Sequence, residues 1–253
     1  MASIFKKIAI AVWCALAMVA ARAGEFSVSP IRLELGAAAR SAVITVRNEE
    51  KEKLSFQLQA MEWTQDEAGK DHYEPSDDIV FFPKLMTIEP GQDGIVRVGA
   101  KRAILPAEKT YRLFIEELPG PPKPVDPSAP AAARINVLVR FGAPIFVMPA
   151  APQDGLDIQQ LALEKGTLRL SAKNTGNRHQ VVQGIKLRGT DRRGQEVYAL
   201  SLADRYLLTG TTKAYTTSIA AEQCAKIAEL SVEFATDKLN VKRKLEVSRA
   251  MCP

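Results

Sequence analysis

A two-residue alternation of apolar and polar side chains constrains the fold of this chain more than any other feature. From Leu54 to Ala60, and again from Tyr111 to Ile115, every second residue is apolar and most residues between them are polar. Strands with one buried face show this pattern, whereas an amphipathic helix repeats every 3.6 residues. Turn-forming residues separate the alternating segments, and no segment predicts an amphipathic helix longer than two turns. We therefore predict an all-β protein.

The alternating segments fall into two sets. Seven fit between Gly24 and Pro149, which is typical of an immunoglobulin-like sandwich. A stretch of proline and alanine at 149–152 follows as a plausible linker. We predict two immunoglobulin-like β-sandwich domains in series, an N-terminal one at 24–149 and a C-terminal one at 150–253. The strands predicted in the second set are 168–172, 180–187, 206–208, 214–219, 228–234 and 244–247.

Residues 1–23 predict a cleavable signal peptide. Lys6 and Lys7 precede thirteen uninterrupted apolar residues, and Ala21 and Ala23 supply the small side chains of a signal-peptidase site. The apolar run is shorter than the roughly 20 residues of a membrane-spanning helix. We therefore expect an exported protein without stable membrane insertion.

Removal of this segment changes the charge of the chain. The full sequence has 34 Lys and Arg against 29 Asp and Glu, a formal net charge of +5. Cleavage would remove Lys6, Lys7 and Arg22 and no acidic residue, which leaves 31 basic and 29 acidic residues, or +2. This balance lacks the basic surplus of nucleic-acid-binding proteins, so we expect no nucleic-acid partner.

Two of the three cysteines, Cys224 and Cys252, lie beyond the predicted signal peptide. An even pair in an exported protein predicts a disulfide, here one that ties the C-terminus to the second domain. A pair of reactive thiols is the alternative, but no C-x-x-C motif supports it.

The sequence offers little for catalysis. It contains no motif of a serine hydrolase, zinc peptidase or P-loop or dinucleotide-binding enzyme. Its two histidines, His72 and His179, lie beside turn-forming residues and are predicted to be solvated. The adjacent carboxylates of Glu116 and Glu117 would point to opposite faces of a strand. We expect no enzymatic activity, no cofactor and no metal site.

A proline-rich segment at 120–133 interrupts the strand pattern and predicts a flexible loop. The strand predicted after it, at 134–141, places four apolar residues on one face. These side chains either fill the protein's own sandwich or are offered to a partner. They are Ile135, Val137, Val139 and Phe141.

Several short stretches resemble one known family. The most specific is TYRLFIEELP at 110–119, and SPIRL at 29–33, IEPGQ at 88–92, KNTGN at 173–177 and YLLTG at 206–210 support it. Together they are similar to the PapD-like periplasmic chaperones of the chaperone–usher pilus pathway. PIFVMP at 144–149 looks more like the branch that serves archaic, spore-coat-like pili.

The resemblance implies a cleft between the two domains and a periplasmic chaperone that lends a strand to an incomplete pilus or fimbrial subunit. The apolar residues of 135–141 would then enter the groove of one subunit, and the complex would pass to an outer-membrane usher. An unpaired strand edge also promotes association between copies. Self-association of the free protein is left open.

The resemblance further implies that basic residues in the cleft hold the terminal carboxylate of the subunit. Arg32 occupies the matching position in the first strand, and its guanidinium suits a carboxylate. The second basic residue of the best-studied branch is a lysine, and Pro144 occupies that position here. Arg140, or less favourably Arg97, is the candidate for the second charge.

A secreted two-domain sandwich that acts as a carbohydrate-binding or adhesive module is the alternative function. Such a module needs exposed aromatic side chains. Beyond the predicted signal peptide the chain has one tryptophan, Trp63, and it falls within a predicted strand. A hydrolase on a sandwich scaffold is the third hypothesis.

Overall fold

The computed structural model describes residues 26–102, 105–120 and 137–253. Nearly all regular structure in this part of the chain is β-strand, which confirms the predicted fold class. No helix in it is long and apolar enough to cross a membrane. The predicted signal peptide and most of the predicted proline-rich loop lie outside the described residues.

Strands β1 to β10 form the N-terminal sandwich. One sheet has the order β1-β3-β8-β6, and the other has the order β2-β10-β9-β4-β5, with β7 also paired to β4. Alternating residues of both sheets, such as Ile44, Val96, Phe56 and Ile115, bury their side chains in one shared core. The strands are β1 (Phe26–Ser29), β2 (Leu33–Leu35), β3 (Ser41–Asn48), β4 (Leu54–Gln65), β5 (Asp71–Pro75), β6 (Ile79–Phe82), β7 (Leu85–Ile88), β8 (Asp93–Ala100), β9 (Lys109–Leu118) and β10 (Arg140–Val147).

Strands β11 to β18 form the C-terminal sandwich around a second core. Its sheets have the orders β11-β12-β16 and β14-β13-β17-β18, and β15 pairs with β13. One helical turn, Ala221–Cys224, and one 3-10 turn, Arg249–Met251, complete it. The strands are β11 (Leu156–Glu164), β12 (Thr167–Asn174), β13 (Gln180–Thr190), β14 (Glu196–Leu202), β15 (Tyr206–Leu207), β16 (Thr212–Ser218), β17 (Glu229–Thr236) and β18 (Asn240–Glu246).

The N-terminal half has ten strands rather than the seven predicted, and two of its segments divide between sheets. The chain passes from β1 in one sheet to β2 in the other at Pro30, and from β6 to β7 at Pro83. Proline has no N–H for the ladder, so each strand ends there.

In the C-terminal half β11 and β14 were not predicted. A bulge at Ile158–Gln160 breaks the alternation of β11.

The described strands pair only within their own sandwich. The chain passes from one sandwich to the other between Val147 and Leu156. The boundary at residues 149 and 150 stays a prediction.

The structure contains the predicted disulfide between Cys224 and Cys252. Their Cα atoms are 5.6 Å apart, and the bond joins positions separated by 28 residues. The Cys224 side chain is fully buried in the C-terminal core. The bond therefore fastens the end of the chain to that core.

Replacing both cysteines with serine is expected to lower the free energy of unfolding by about 3–4 kcal/mol, because the unfolded chain gains the entropy of an open loop. Urea unfolding of oxidised wild type and of the double variant measures the difference. Reduced wild type is the control and should match the variant. Equal stability of the oxidised protein and the variant would contradict the expectation.

Candidate functional site

The outer edge of β10 is paired along only half of its length. β2 runs parallel to β10 and covers Ile145–Val147, whereas no described strand covers Arg140–Pro144 on that edge. The Glu117 N–H donates to the Val139 carbonyl on the β9 side, and the Met148 N–H donates to the Leu35 carbonyl on the β2 side. Backbone groups alternate between the two sides of a strand. Arg140 and Gly142 therefore direct both backbone groups towards the open edge.

The residues that lead into this edge are apolar and exposed. Val137 and Val139 are 67% and 36% exposed, and Leu138 is also exposed. Phe141 packs against the core of the N-terminal sandwich but is only partly buried, so part of its side chain remains exposed. Ile135 lies outside the described residues. Within the described residues β10 begins at Arg140 and residues 137–139 precede it without regular structure, so the predicted strand overlaps β10 there only at its last two residues.

The structure separates the three predicted arginines. Arg140 lies on β10, with its guanidinium 3.9 Å from the Phe114 ring centre and 3.4 Å from the Glu116 carboxylate. Arg32 lies between β1 and β2 and is 3.6 Å from Glu34. Arg97 lies on β8, in the opposite sheet of the sandwich. Its side chain is therefore not brought to the open edge.

Arg112, beside the domain junction, is an arginine that the sequence patterns did not single out. It lies on β9 directly opposite Pro144 of β10. Its guanidinium is 4.2 Å from the Trp63 ring centre, and its Nη2 is 3.3 Å from Oδ2 of Asp71. The side chain is 19% exposed, which leaves its charge partly desolvated but within reach of a ligand. A partly desolvated guanidinium binds a carboxylate more strongly than an exposed one.

Arg32 and Arg112 flank the same point on β10. Arg32 immediately precedes Leu33, the partner of Ile145, and Arg112 is the partner of Pro144. Arg32, Arg112 and Pro144 are called the anchor site below. Two buried donors at this site, Nε of Arg112 and Nε1 of Trp63, have no hydrogen-bond partner among the described residues.

Tyr73 and Asp71 border the anchor site on β5. The Tyr73 hydroxyl donates to Asp71 Oδ2 at 3.0 Å. Burial of the phenol raises the pKa of Tyr73 to about 12; the Arg112 charge opposes this rise and the Asp71 carboxylate adds to it. Tyr73 therefore keeps its proton at neutral pH and remains a donor to Asp71.

An aromatic cluster joins the two sandwiches next to the anchor site. Trp63 of β4 and Phe146 of β10 pack against Tyr206 and Leu208 of the C-terminal sandwich. The ring centres of Trp63 and Tyr206 are 5.6 Å apart. Because all four residues are buried, β4 and β10 contact the C-terminal sandwich through a buried, largely aromatic cluster.

The expectation that His179 is solvated was wrong. Its ring stacks on Phe146 at 3.6 Å between centres, and its Nδ1 lies 2.8 Å from Oε2 of the buried Glu108. The His179 N–H also donates to Glu108 Oε1. Contacts with the other domain, which are remote in sequence, bury this turn.

His72 lies on β5 with an exposed side chain, and its hydrogen bond to Asp66 lowers the pKa of that carboxyl.

A groove of about 700 Å³ lies beside β4 and is lined by residues of both sandwiches. Negatively charged carboxylates, positively charged lysines and threonine hydroxyls line it. No cluster of His, Cys, Asp and Glu in the described part of the chain has the arrangement of a metal site. Lining residues include Glu62, Asp66, Lys109, Lys173 and Thr211.

Comparison with protein families identifies the chain. The family model described as "Pili and flagellar-assembly chaperone, PapD N-terminal domain" matches residues 25–153, about half of the sequence. The chain belongs to this chaperone family. The match spans the N-terminal sandwich, including the open edge and the anchor site, and it confirms the family resemblance read from 110–119.

Solved structures share the fold of this chaperone across both sandwiches. A chain of the Salmonella enterica SafA pilin–SafB chaperone complex is 14% identical, with a TM-score of 0.58, and covers 89% of this chain and 99% of that one. A chain of the CsuC–CsuE chaperone–tip adhesion subunit complex from archaic Csu pili of Acinetobacter baumannii is 18% identical, with a TM-score of 0.57 and coverage of 87% and 98%. The Pseudomonas aeruginosa CupB2 chaperone is 14% identical, with a TM-score of 0.51 and coverage of 88% and 100%.

At these identities the likeness shows a common fold. The SafB complex, whose description names no archaic pilus, is as similar as the Csu complex, so assignment to the archaic branch stays a prediction. No curated protein matches the chain.

Proposed function

We propose that this protein is a non-enzymatic periplasmic chaperone that completes a pilus subunit by donating a strand and delivers the subunit to an outer-membrane usher. The observation that carries the proposal is the open half of the β10 edge, preceded by the exposed residues Val137 and Val139. The named complexes of SafB with a pilin and CsuC with a tip subunit support a partner of the same kind.

The physical basis of strand donation is shared burial. An immunoglobulin-like subunit without its last strand exposes an apolar groove and an unpaired edge, which promote aggregation. Ile135, Val137, Val139 and Phe141 would cover such a groove in the proposed complex. Each fully buried side chain contributes about 1.5–3 kcal/mol, so nucleotide hydrolysis is not required to hold the subunit.

We propose that the subunit strand runs parallel to β10, as β2 does on the same edge. Its C-terminal end then reaches Pro144, where β2 begins to occupy the edge. The terminal carboxylate would lie between Arg32 and Arg112, and Arg112 would supply the charge for which Arg140 or Arg97 was predicted. The position of Arg112 opposite Pro144 and the partial exposure of its side chain support this assignment.

The proposal includes export through a cleaved signal peptide at 1–23 and mature domains at 24–149 and 150–253. It retains self-association of the free protein through the open edge as a secondary behaviour. The adhesive-module alternative gains no support, because Trp63 is buried at the domain junction rather than exposed.

A pull-down of the C-terminally tagged protein from the periplasm of its native host tests the proposal. We expect an equimolar, β-rich partner. Arg112→Ala is expected to weaken retention of this partner about tenfold to a hundredfold, because it removes a charged hydrogen bond. Arg97→Ala, the matched control on the opposite sheet, should retain the partner fully.

Two outcomes would overturn parts of the proposal. A monodisperse protein without partner, under conditions in which pili are made, would argue against the chaperone function. Equal retention by Arg112→Ala and Arg97→Ala would remove Arg112 from the anchor site while leaving strand donation intact.

A further inference from the structure

Arg112 is held by two groups of the β4–β5 hairpin. The Trp63 ring lies under its guanidinium at 4.2 Å, and Asp71 Oδ2 accepts a hydrogen bond from its Nη2 at 3.3 Å. The Tyr73 hydroxyl donates to the same Asp71 oxygen. With a ring on one face and a carboxylate on one edge, Arg112 has few orientations available.

Asp71 is itself fixed by Gln65, the last residue of β4. Gln65 Nε2 donates to Asp71 Oδ1 at 3.1 Å, and Gln65 Oε1 accepts from the Leu208 N–H at 3.2 Å. Leu208 directly follows β15 of the C-terminal sandwich. A glutamine amide carries a donor and an acceptor at the same end, so it can make both bonds at once. The reversed amide would face a carboxylate with its oxygen, which fixes its orientation.

These contacts form a continuous chain from the backbone of the C-terminal sandwich to the guanidinium on β9. We propose that Gln65 and Asp71 are positioning residues that make the orientation of Arg112 depend on docking of the C-terminal sandwich. The inference rests on the proposed role of Arg112 as carboxylate anchor. Under this proposal the C-terminal sandwich influences subunit binding through Arg112, without contact between Leu208 and the subunit.

The hydrogen bonds from Leu208 through Gln65 and Asp71 to Arg112 are called the relay below. The tip of the β4–β5 hairpin contacts the C-terminal sandwich through other residues. The Ala214 N–H of β16 donates to the Glu67 carbonyl at 2.9 Å. Gly69 lies against the aliphatic part of the buried Lys213, where an added Cβ would be 3.5 Å from Cε. Loss of the Gln65 bonds alone therefore leaves the hairpin in place, which allows the relay to be tested without separating the domains.

The test measures selectivity for a carboxylate rather than affinity alone. The probe is a fluorescein-labelled eight-residue peptide of alternating valine and threonine, prepared with a free C-terminal carboxylate and as the C-terminal amide. Wild type is expected to bind the acid about tenfold more tightly than the amide, because the acid forms a charged hydrogen bond. Arg112→Ala should bring this ratio to about one.

Two substitutions of Gln65 isolate the relay. Gln65→Leu is expected to lower the acid-to-amide ratio about threefold or more, with unchanged affinity for the amide. Gln65→Glu keeps an acceptor for the Leu208 N–H but places a second carboxylate against Asp71, so the ratio should fall at least as far. Gln57→Leu, the same change earlier on β4, is the matched control and should keep the wild-type ratio.

The outcomes separate the relay from the anchor. If both Gln65 variants keep the wild-type ratio while Arg112→Ala loses it, the relay is wrong and the anchor stands. If Gln65→Leu weakens both peptides equally, the residue serves domain packing only and the relay is again wrong. If Arg112→Ala keeps the wild-type ratio, the anchor assignment fails and the relay fails with it.

Discussion

Val137→Asp is expected to abolish retention of the subunit while leaving the chaperone folded. The side chain is 67% exposed in the free protein, so the substitution disturbs little of its own core. In the proposed complex the same position enters an apolar groove. The variant loses the burial of a valine, about 1.5–3 kcal/mol, and pays several kcal/mol more to desolvate an unpaired carboxylate. Affinity should fall at least about a hundredfold.

Co-purified subunit per mole of chaperone, together with thermal unfolding of the free chaperone, provides the measurement. Val80→Asp is the matched control, because Val80 is also an exposed valine but lies on β6 in the opposite sheet. It should retain the subunit fully. A normal subunit yield with Val137→Asp would show that the segment before β10 is not the donated strand.

Phe146→Ala is expected to cause the largest loss of stability among single substitutions at the domain junction. Phe146 is fully buried and contacts the rings of His179, Tyr206 and Trp63. Truncating a buried phenylalanine costs about 3–5 kcal/mol through lost burial and the cavity that remains. Since these contacts join the two sandwiches, we also expect the domains to unfold in two separate steps.

Urea unfolding followed by tryptophan fluorescence reports this change, because Trp63 lies in the same cluster. Phe82→Ala is the matched control; Phe82 is 73% exposed, so its truncation should change stability by less than about 0.5 kcal/mol. Similar unfolding curves for the two variants would mean that the junction contributes little to stability.

Local patterns in the sequence were sufficient for the fold class, since burial of one sheet face imposes the alternation seen in β4 and β9. The disulfide was also predictable, because only Cys224 and Cys252 follow the predicted leader. The number of strands was harder to predict. Pro30 and Pro83 divide strands between sheets, and the bulge near Ile158 interrupts the alternation by which β11 would have been recognised.

The candidate site depended on information that the sequence does not contain locally. Arg112 looked like an ordinary outward residue of a strand until the register placed it opposite Pro144. Gln65 and Leu208 are 143 positions apart, and Glu108 and His179 are 71 apart. Such pairs form only once the two sandwiches dock. The one local signal was the polar residue Arg112 within the otherwise largely apolar stretch that begins at Thr110.

The proline at the end of the open edge has a consequence for the lifetime of the proposed complex. Within β10, Arg140 and Gly142 offer both an N–H and a carbonyl to an incoming strand, whereas Pro144 offers a carbonyl alone. The backbone ladder is therefore short, and dissociation depends mainly on how quickly the side chains leave their groove. Pro144 thus limits the contribution of backbone hydrogen bonds to the residence time of the proposed complex.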